Sequence, residues 1–311
     1  MFRISVARLY EDNREKLGLA RSGAKPDLDA LIDRDGEDSA ALIGYLNFIH
    51  PNRLQVIGPH ELAYLATVEE PVSTRLIESL SQSVPAALLM CEGVLPPERL
   101  AHVAAKAGIP IFTTAERGPI VIDWLRRYLS KTMAEVIQRH GVCVDVLGLG
   151  VLITGESGVG KSELGLELIS RGHGLVADDV VDISRLPPSV LECRCPPLLK
   201  DFLEVRGLGV LNIRTVFGET AVRPKMNLRL VVGLEKPLAH GSASERLPLH
   251  ELSEDILGVT VRKVIIPVAE GRNLAVLVEA AVRNYILQLR GINSTQEFLA
   301  RQQAELTKGA G

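Results

Sequence analysis

The sequence contains few cysteines, no long hydrophobic run and no excess of positive charge. Its 311 residues include only Cys91, Cys143, Cys193 and Cys195. Four cysteines are too few for a disulfide framework in a chain of this length. No apolar stretch approaches the roughly 20 residues that a membrane-spanning helix requires, and the start of the chain is too polar for a secretory signal. We therefore predict a cytoplasmic protein that does not span a membrane.

Charge and composition limit the possible partners. The formal net charge is −3, and no polybasic segment indicates binding to nucleic acid or to a membrane surface. Hydrophobic residues make up 46% and charged residues 23%, which is ordinary for a globular protein. A length of 311 residues suggests two domains, each with its own core. Cys193 and Cys195 have no second cysteine or histidine pair at ligand spacing, so we predict no metal site there.

The first part of the chain alternates between strand and helix patterns. Apolar runs at 54–58, 86–91 and 109–112 predict buried strands, and Pro59 and Pro97 mark helix starts between them. This order favours a parallel sheet covered by helices. We assign residues 1–129 to an N-terminal α/β domain, in which no motif indicates a chemistry.

A single long helix is predicted over 123–139. Apolar residues from Trp124 to Ile137 give it one stripe, which packing between the two halves of the chain would explain. We place the domain boundary in or just before this helix, so that the second domain covers 130–311. His140 then ends the helix. It either stabilises the last helical carbonyls or lies beside the site that follows.

A glycine-rich loop dominates the second half. Residues 151–154 (VLIT) read as a buried strand, 155–162 (GESGVGKS) match the phosphate-loop pattern G-x-x-x-x-G-K-[ST], and 163–171 predict a helix. Glycines let successive N–H groups point inward around phosphate oxygens, and the helix directs its positive end at them. Lys161 would add a cation, and the Ser162 hydroxyl would hold Mg²⁺. The predicted nucleotide-binding residues are Gly155, Glu156, Ser157, Gly158, Val159, Gly160, Lys161 and Ser162.

Two further polar segments follow the phosphate loop. Asp178 and Asp179 end a short strand, where one carboxylate would accept a proton and the other would lie near Mg²⁺; an acidic turn is the alternative. Residues 203–213 (LEVRGLGVLNI) place Glu204 and Arg206 on one face of an extended segment, where they bind metal and phosphate or form a surface ion pair. Two amphipathic helices end the chain, after a polar loop at 236–246 that suits a lid or a substrate contact.

These residues give the chain its resemblance to the HPr kinase/phosphorylase family. The similarity is densest over 140–182 and 203–213, and it continues through Gly271, Arg272 and Asn273. LEVRGLGVLNI closely follows the signature run of the family, which is more specific than a phosphate loop alone. The resemblance implies an α/β protein with an N-terminal α/β domain and a C-terminal P-loop kinase domain with C-terminal helices.

The resemblance also implies roles for individual residues. His140, Lys161 and Arg246 match active-site residues, and Glu204 joins Ser162 as a Mg²⁺ ligand. The pair Asp178–Asp179 matches the general base of the kinase reaction, without showing which of the two acts. The segment that serves both reactions would comprise Leu203, Glu204, Val205, Arg206, Gly207, Leu208, Gly209, Val210, Leu211 and Asn212.

A second segment, 267–272, matches the part of the family tied to dephosphorylation. It consists of Pro267, Val268, Ala269, Glu270, Gly271 and Arg272. Family members commonly have lysine after Pro-Val, whereas this chain has Ala269 and Glu270. Loss of a phosphate-facing cation should weaken binding of inorganic phosphate.

The implied function is bifunctional. With ATP and Mg²⁺, members of the family phosphorylate a serine of the phosphocarrier protein HPr, and they remove that phosphate with inorganic phosphate to yield pyrophosphate, which regulates carbon metabolism. The resemblance further implies HPr or a relative as partner and assembly into a homo-hexamer.

Two alternatives remain open from the residues themselves. A phosphate loop does not identify the phosphoryl acceptor, so the first alternative is a small-molecule kinase or carboxykinase-like enzyme. The other is a regulator that senses nucleotide without turnover, although such a protein needs no general base.

Overall fold

The computed structural model describes residues 3–22, 28–33, 42–48, 51–83, 85–236, 252–269 and 271–309. The chain divides into two compact units, Met1–Ala134 and Glu135–Gly311. In the described ranges, no helix is both long enough and apolar enough to cross a membrane.

The first unit alternates strands and helices. Its strands are β1 (Arg3–Ser5), β2 (Ala20–Ser22), β3 (Leu31–Asp33), β4 (Ile43–Tyr45), β5 (Leu54–Ile57), β6 (Ala87–Met90) and β7 (Ile111–Thr113). Its helices are α1 (Val6–Leu17), α2 (Pro59–Thr67), α3 (Glu70–Ser83), α4 (Glu98–Lys106) and α5 (Gly118–Thr132).

A sheet with the order β2-β7-β6-β5-β4 forms the centre of this unit. Strands β4 to β7 run parallel, and β2 pairs antiparallel with β7. Successive residues of β6 enter different cores: Leu89 packs with residues of α1 and α5, whereas Leu88 packs with residues of α3 and α4. Helices therefore cover both faces, because adjacent side chains of a strand point to opposite sides. The predicted α/β architecture is confirmed.

The predicted helix over 123–139 is wrong in its second half. Helix α5 ends at Thr132, and Glu135–His140 form strand β8. Val136 and Ile137 continue the helical spacing, but both are β-branched and suit a strand equally well. Pairing with a strand more than forty residues later decides between the two states, and no local pattern contains that information.

The second unit contains the phosphate loop. Its strands are β8, β9 (Val142–Val146), β10 (Leu149–Gly155), β11 (Gly174–Ala177), β12 (Val180–Leu186), β13 (Val190–Arg194), β14 (Phe202–Val205), β15 (Gly209–Asn212), β16 (Met226–Glu235), β17 (Leu252–Ile256) and β18 (Val259–Pro267). Its helices are α6 (Lys161–Ser170), α7 (Ile213–Phe217), α8 (Leu274–Leu289) and α9 (Ser294–Gly309), and short 3₁₀ turns occupy Pro197–Leu199 and Glu219–Ala221.

A nine-stranded sheet of described residues organises this unit. Its main path is β11-β9-β10-β16-β13-β12-β8, with β18 paired to β16 and β17 paired to β18. Strands β10, β16 and β18 are parallel, and their carboxyl ends align, since Gly155 pairs with Leu234 and Glu235 pairs with Pro267. The phosphate loop after β10 and the loop after β18 therefore leave the same edge of the sheet. Helices α6 and α8 share one core with Val151 and Ile153 of β10.

Candidate active site

The phosphate loop joins β10 directly to α6, in the order that the motif predicts. Gly155 has φ 148°, and a Cβ on it would lie 2.6 Å from the carbonyl oxygen of Leu234, so only glycine lets the two strand ends approach. Gly160 precedes the helix with φ 100°. The first N–H groups of α6 therefore face the loop, as anion binding requires.

Two cations lie against this loop. Nζ of Lys161 donates to the carbonyl oxygens of Gly155 and Glu156, at 3.1 and 2.9 Å. The Arg206 guanidinium lies beside Gly158, where a Cβ would be 3.3 Å from Nη2. Together these side chains supply the positive charge that a polyphosphate requires.

Arg206 reaches this position from a turn, which differs from the predicted extended segment. Strand β14 pairs antiparallel with β15, and the N–H of Leu208 donates to the carbonyl of Val205 at 3.0 Å. Gly207 and Gly209 have φ values of 85° and 84°, and a Cβ on either would meet nothing within 4 Å. These positive φ values let the glycines form the turn, and no described protein atom lies close to either one.

Asp178 lies at the centre of the polar contacts. It is 4% exposed, and its Oδ1 accepts from the Ser162 hydroxyl at 3.0 Å while its Oδ2 accepts from the Glu204 N–H at 2.9 Å. Burial raises the pKa of this carboxyl, and the hydrogen bonds from Glu204 and Ser162 partly oppose that effect. The contacts draw the phosphate-loop serine, the buried acid and the β14–β15 hairpin together.

Asp179 has the opposite environment. Its side chain is 71% exposed, and its φ of 67° belongs to the left-handed region that non-glycine residues rarely adopt. The N–H of Val180 donates to the carbonyl of Asp178 at 2.8 Å, which closes a three-residue turn around Asp179. The two neighbouring carboxylates therefore point in different directions.

His140 lies beside Asp179 because β8 pairs with β12. The register places His140 opposite Val180. The imidazole Nδ1 is 3.3 Å from the carbonyl oxygen of Asp179 and 3.7 Å from its Oδ1. Of the two positions left open by the sequence, the structure thus has His140 next to the acid pair, at the end of a strand rather than of a helix.

Most of these groups line one cavity of about 420 Å³. Its lining contains Glu163, which no motif singled out and which simply follows Ser162. The full lining comprises Ser157, Gly158, Gly160, Lys161, Ser162, Glu163, Asp178, Asp179, Glu204, Val205, Arg206, Gly207 and Gly209.

The run from Leu203 to Asn212 splits into an inner and an outer face. Leu203 and Val205 are buried, whereas Leu208 and Val210 are each 65% exposed. Val210 pairs directly with Glu204, so an exposed apolar side chain lies next to a cavity carboxylate. The final residue, Asn212, caps α7 by accepting from the N–H of Thr215 at 3.0 Å.

The loop after β18 leaves the same sheet edge, and its described residues do not line this cavity. The N–H of Val268 donates to the Glu235 carbonyl at 2.8 Å, and the N–H of Arg272 donates to the Ala269 carbonyl at 3.3 Å. One strand, β16, separates β10 from β18, so the two strand ends lie about 10 Å apart. Arg246 and Glu270 lie outside the described residues, as does most of the polar loop predicted at 236–246.

The donor set fits a nucleotide with Mg²⁺. One hydroxyl and two carboxyl groups, from Ser162, Asp178 and Glu204, are the oxygen ligands that Mg²⁺ prefers. Glycine backbone, a helix start and the cations Lys161 and Arg206 match a polyphosphate chain. The cavity thus suits phosphoryl transfer.

Comparison with known proteins agrees with this chemistry. Residues 4–129 match the family model described as HPr Serine kinase N terminus, and residues 131–302 match the HPr Serine kinase C-terminal domain. The chain is 52% identical over 313 residues to an HPr kinase/phosphorylase of Nitrosomonas europaea, with 98% of this chain and 96% of the relative covered. It is 53% identical over 306 residues to one of Aromatoleum aromaticum, with 98% of each covered.

A solved structure is also similar. The HPr(Ser) kinase/phosphatase from Coxiella burnetii has 36% sequence identity and a TM-score of 0.47, and the match covers 52% of this chain and 98% of that one. Both family models and the near full-length relatives lead to one conclusion. The chain belongs to the HPr serine kinase family.

Proposed function

We propose that this chain phosphorylates a serine of the phosphocarrier protein HPr with MgATP and removes that phosphate by phosphorolysis. The observation that carries the proposal is the convergence of Ser162, Glu204 and the acid pair on one cavity beside Lys161. We take 130–311, which contains the cavity, as the catalytic domain and assign no role to the N-terminal α/β domain 1–129. Because the reaction consumes ATP, we place the protein in the cytoplasm, and we propose the homo-hexamer implied by the family.

The phosphate loop and its two cations bind the nucleotide. Backbone N–H groups of 155–160 hold the phosphate oxygens, and Lys161 moves from the loop carbonyls to the phosphates as these offer a stronger, charged acceptor. Arg206, whose guanidinium lies beside Gly158, adds a second positive charge. Ser162, Asp178 and Glu204 would hold Mg²⁺, which when bound neutralises charge on the transferred phosphoryl group.

We assign the general base to Asp179. Both oxygens of Asp178 already accept hydrogen bonds, and the residue is buried, so it organises the site rather than meeting an acceptor. Asp179 is exposed in the same cavity and has His140 beside it to orient its carboxylate. As the serine oxygen attacks the γ-phosphorus and ADP leaves, the hydroxyl proton passes to Asp179.

In the reverse direction the same groups act with inorganic phosphate. A phosphate oxygen attacks phosphoserine, pyrophosphate forms, and protonated Asp179 returns its proton to the serine oxygen, as microscopic reversibility requires. The loop 267–272 serves this reaction from the neighbouring strand end. Arg272 is the cation that this loop offers to the incoming phosphate.

A protein acceptor explains the outer face of the β14–β15 hairpin. Leu208 and Val210 expose apolar surface at the rim of the cavity, next to Glu204. A small polar metabolite gains nothing from such a rim, whereas a protein buries it on docking.

Labelled ATP tests the kinase activity. Purified full-length chain, Mg²⁺ and γ-labelled ATP should label HPr and should leave HPr with its regulatory serine replaced by alanine unlabelled. Serine-phosphorylated HPr with inorganic phosphate should then release pyrophosphate. Equal labelling of both HPr forms, or preferential labelling of a small-molecule acceptor, would refute the proposal.

A further inference from the structure

A buried carboxylate outside the cavity holds three basic side chains. Glu279 of α8 is 7% exposed, and its oxygens accept from Nε and Nη2 of Arg171 at 2.8 and 3.0 Å. Nε2 of His173 lies 3.0 Å from Oε1, and Nη1 of Arg283 donates to Oε2 at 3.3 Å. We call Arg171, His173, Glu279 and Arg283 the Glu279 cluster. Its groups have partners within the cluster, so its role is to fix elements rather than to bind a ligand.

The cluster joins three segments that lead to the active site. Arg171 caps helix α6, whose other end is Lys161 of the phosphate loop. His173 immediately precedes β11, which ends next to Asp178. Glu279 lies in the second turn of α8, which begins just after the loop 267–272.

Distance excludes direct contact between the cluster and the substrates. Helix α6 has 10 residues and so spans about 15 Å. Strand β11 has 4 residues and spans about 13 Å. Any effect of Glu279 on the reaction must therefore pass through the positions of these elements.

The three segments depend on the cluster to different degrees. The phosphate loop and the acid pair are also fixed by the sheet, since β10 pairs with β9 and β16 and β11 pairs with β9. The loop 267–272 is fixed by β18 at its start and enters α8 at its end. Helix α8 packs on the core through Ala275, Val278 and Val282, and such apolar contacts are not directional. The hydrogen bonds of Glu279 set the position of α8 along α6.

We propose that Glu279 is a positioning residue for phosphorolysis, because its hydrogen bonds to Arg171 and His173 fix α8, and with it the loop 267–272, relative to the phosphate loop. This inference rests on the proposed function and deepens it. The kinase direction uses chiefly groups that the sheet holds. The phosphorylase direction also needs the loop before α8.

The test compares the two reactions in full-length Glu279→Gln. We expect KM for inorganic phosphate in pyrophosphate release to rise roughly tenfold or more, since small displacements of positioned groups cost large factors in rate. KM for ATP in the kinase reaction should stay within about twofold of the parent. A purely structural role would reduce the active fraction, which lowers both maximal rates equally and leaves both KM values unchanged.

Matched variants keep this test decisive. Glu297→Gln removes an exposed α9 carboxylate that pairs with Arg301, and it should change neither KM. If Glu279→Gln folds poorly, Arg171→Gln should give the same result, a raised KM for inorganic phosphate with KM for ATP nearly unchanged. Arg171→Lys keeps the charge and should retain most of the phosphorolysis that Arg171→Gln loses. Equal losses in both directions with unchanged KM values overturn the inference.

The activities of the parent protein show whether the inference or the proposed function has failed. A parent that phosphorylates HPr but releases no pyrophosphate also overturns the inference, because the loop 267–272 then has no phosphate to hold. A parent that does not phosphorylate HPr refutes the proposed function itself.

Discussion

Asp178 and Asp179 carry the same carboxyl group in opposite environments. Asp178 is buried and accepts hydrogen bonds on both oxygens, and Asp179 is exposed in a left-handed turn beside His140. A buried carboxylate that accepts a hydrogen bond on each oxygen holds other groups in place, whereas an exposed one can meet an incoming hydroxyl. We therefore expect different losses when each is replaced by asparagine.

Asp179→Asn should lower the kinase kcat by a factor of about 10² to 10⁴, because the general base is lost while the nucleotide contacts remain. Asp178→Asn should chiefly weaken Mg²⁺-dependent ATP binding, because it replaces the charged carboxylate between Ser162 and Glu204 with a neutral amide. Steady-state kinetics and calorimetric titration with a non-hydrolysable ATP analogue separate the two effects. Parent-level kcat in Asp179→Asn would show that the base lies elsewhere.

The sequence alone leaves this assignment open for a physical reason. The phosphate loop is a local motif, in which glycine spacing and the adjoining strand and helix suffice to predict the conformation. The hydrogen-bond partners of Asp178 lie 16 and 26 residues away in the chain. Their approach depends on the sheet and on the β14–β15 hairpin, so burial of one acid and exposure of the next emerge only from the fold.

At the scale of elements, the β14–β15 hairpin combines two tasks. Its turn brings Arg206 to the phosphate loop, and its outer face presents Leu208 and Val210. The sequence predicted the importance of this run through its family resemblance and placed Glu204 and Arg206 on one extended segment, whereas the strand ends at Val205. The glycines at 207 and 209 have positive φ values, which favour the turn that was missed.

The exposed face of this hairpin gives a prediction about the acceptor. Leu208→Ser combined with Val210→Ser should raise KM for HPr about tenfold, because the docked protein no longer buries two apolar side chains. KM for ATP should rise much less. Leu95→Ser removes a comparably exposed leucine of the first unit and serves as the control. A larger change in KM for ATP than in KM for HPr would contradict docking on this face.

Strand β8 shows where element prediction fails. Local spacing over 123–139 fits one helix, but the structure ends α5 at Thr132 and begins β8 at Glu135. Strand β8 pairs with β12 over its whole length, and this pairing overrides the weak helical preference of Val136 and Ile137. The consequence is functional, because the strand and not a helix end brings His140 to Asp179.

At the scale of the whole molecule, family and fold class were predictable, while the long-range charge network was not. The α/β architecture and the HPr serine kinase family are confirmed. Arg171 and Glu279 are 108 residues apart, and neither belongs to a motif. A buried ion cluster of this kind becomes visible only when helices α6 and α8 are packed together. The roles assigned to the individual site residues stay predictions.

The same cluster predicts how stability depends on pH. Arg171, followed by His173 and Arg283, lowers the pKa of Glu279 from 4.5 to about 2. A carboxyl with a lowered pKa in the folded state stabilises the protein above its unfolded-state value, and this contribution is lost as pH falls through the folded value. Asp178 has the opposite effect on the pH dependence of stability. Its raised pKa means that its ionisation disfavours the folded state.

The difference in unfolding free energy between the parent and Glu279→Gln should therefore be largest near neutral pH and should shrink between pH 4.5 and about 2. Glutamine cannot ionise, so the variant lacks this part of the pH dependence and leaves two arginines without their buried counter-charge. Urea unfolding at a series of pH values measures the difference. Glu297→Gln, which removes an exposed carboxylate, should show almost no such trend. A difference that stays constant down to pH 2 would mean that Glu279 is not held ionised by the cluster.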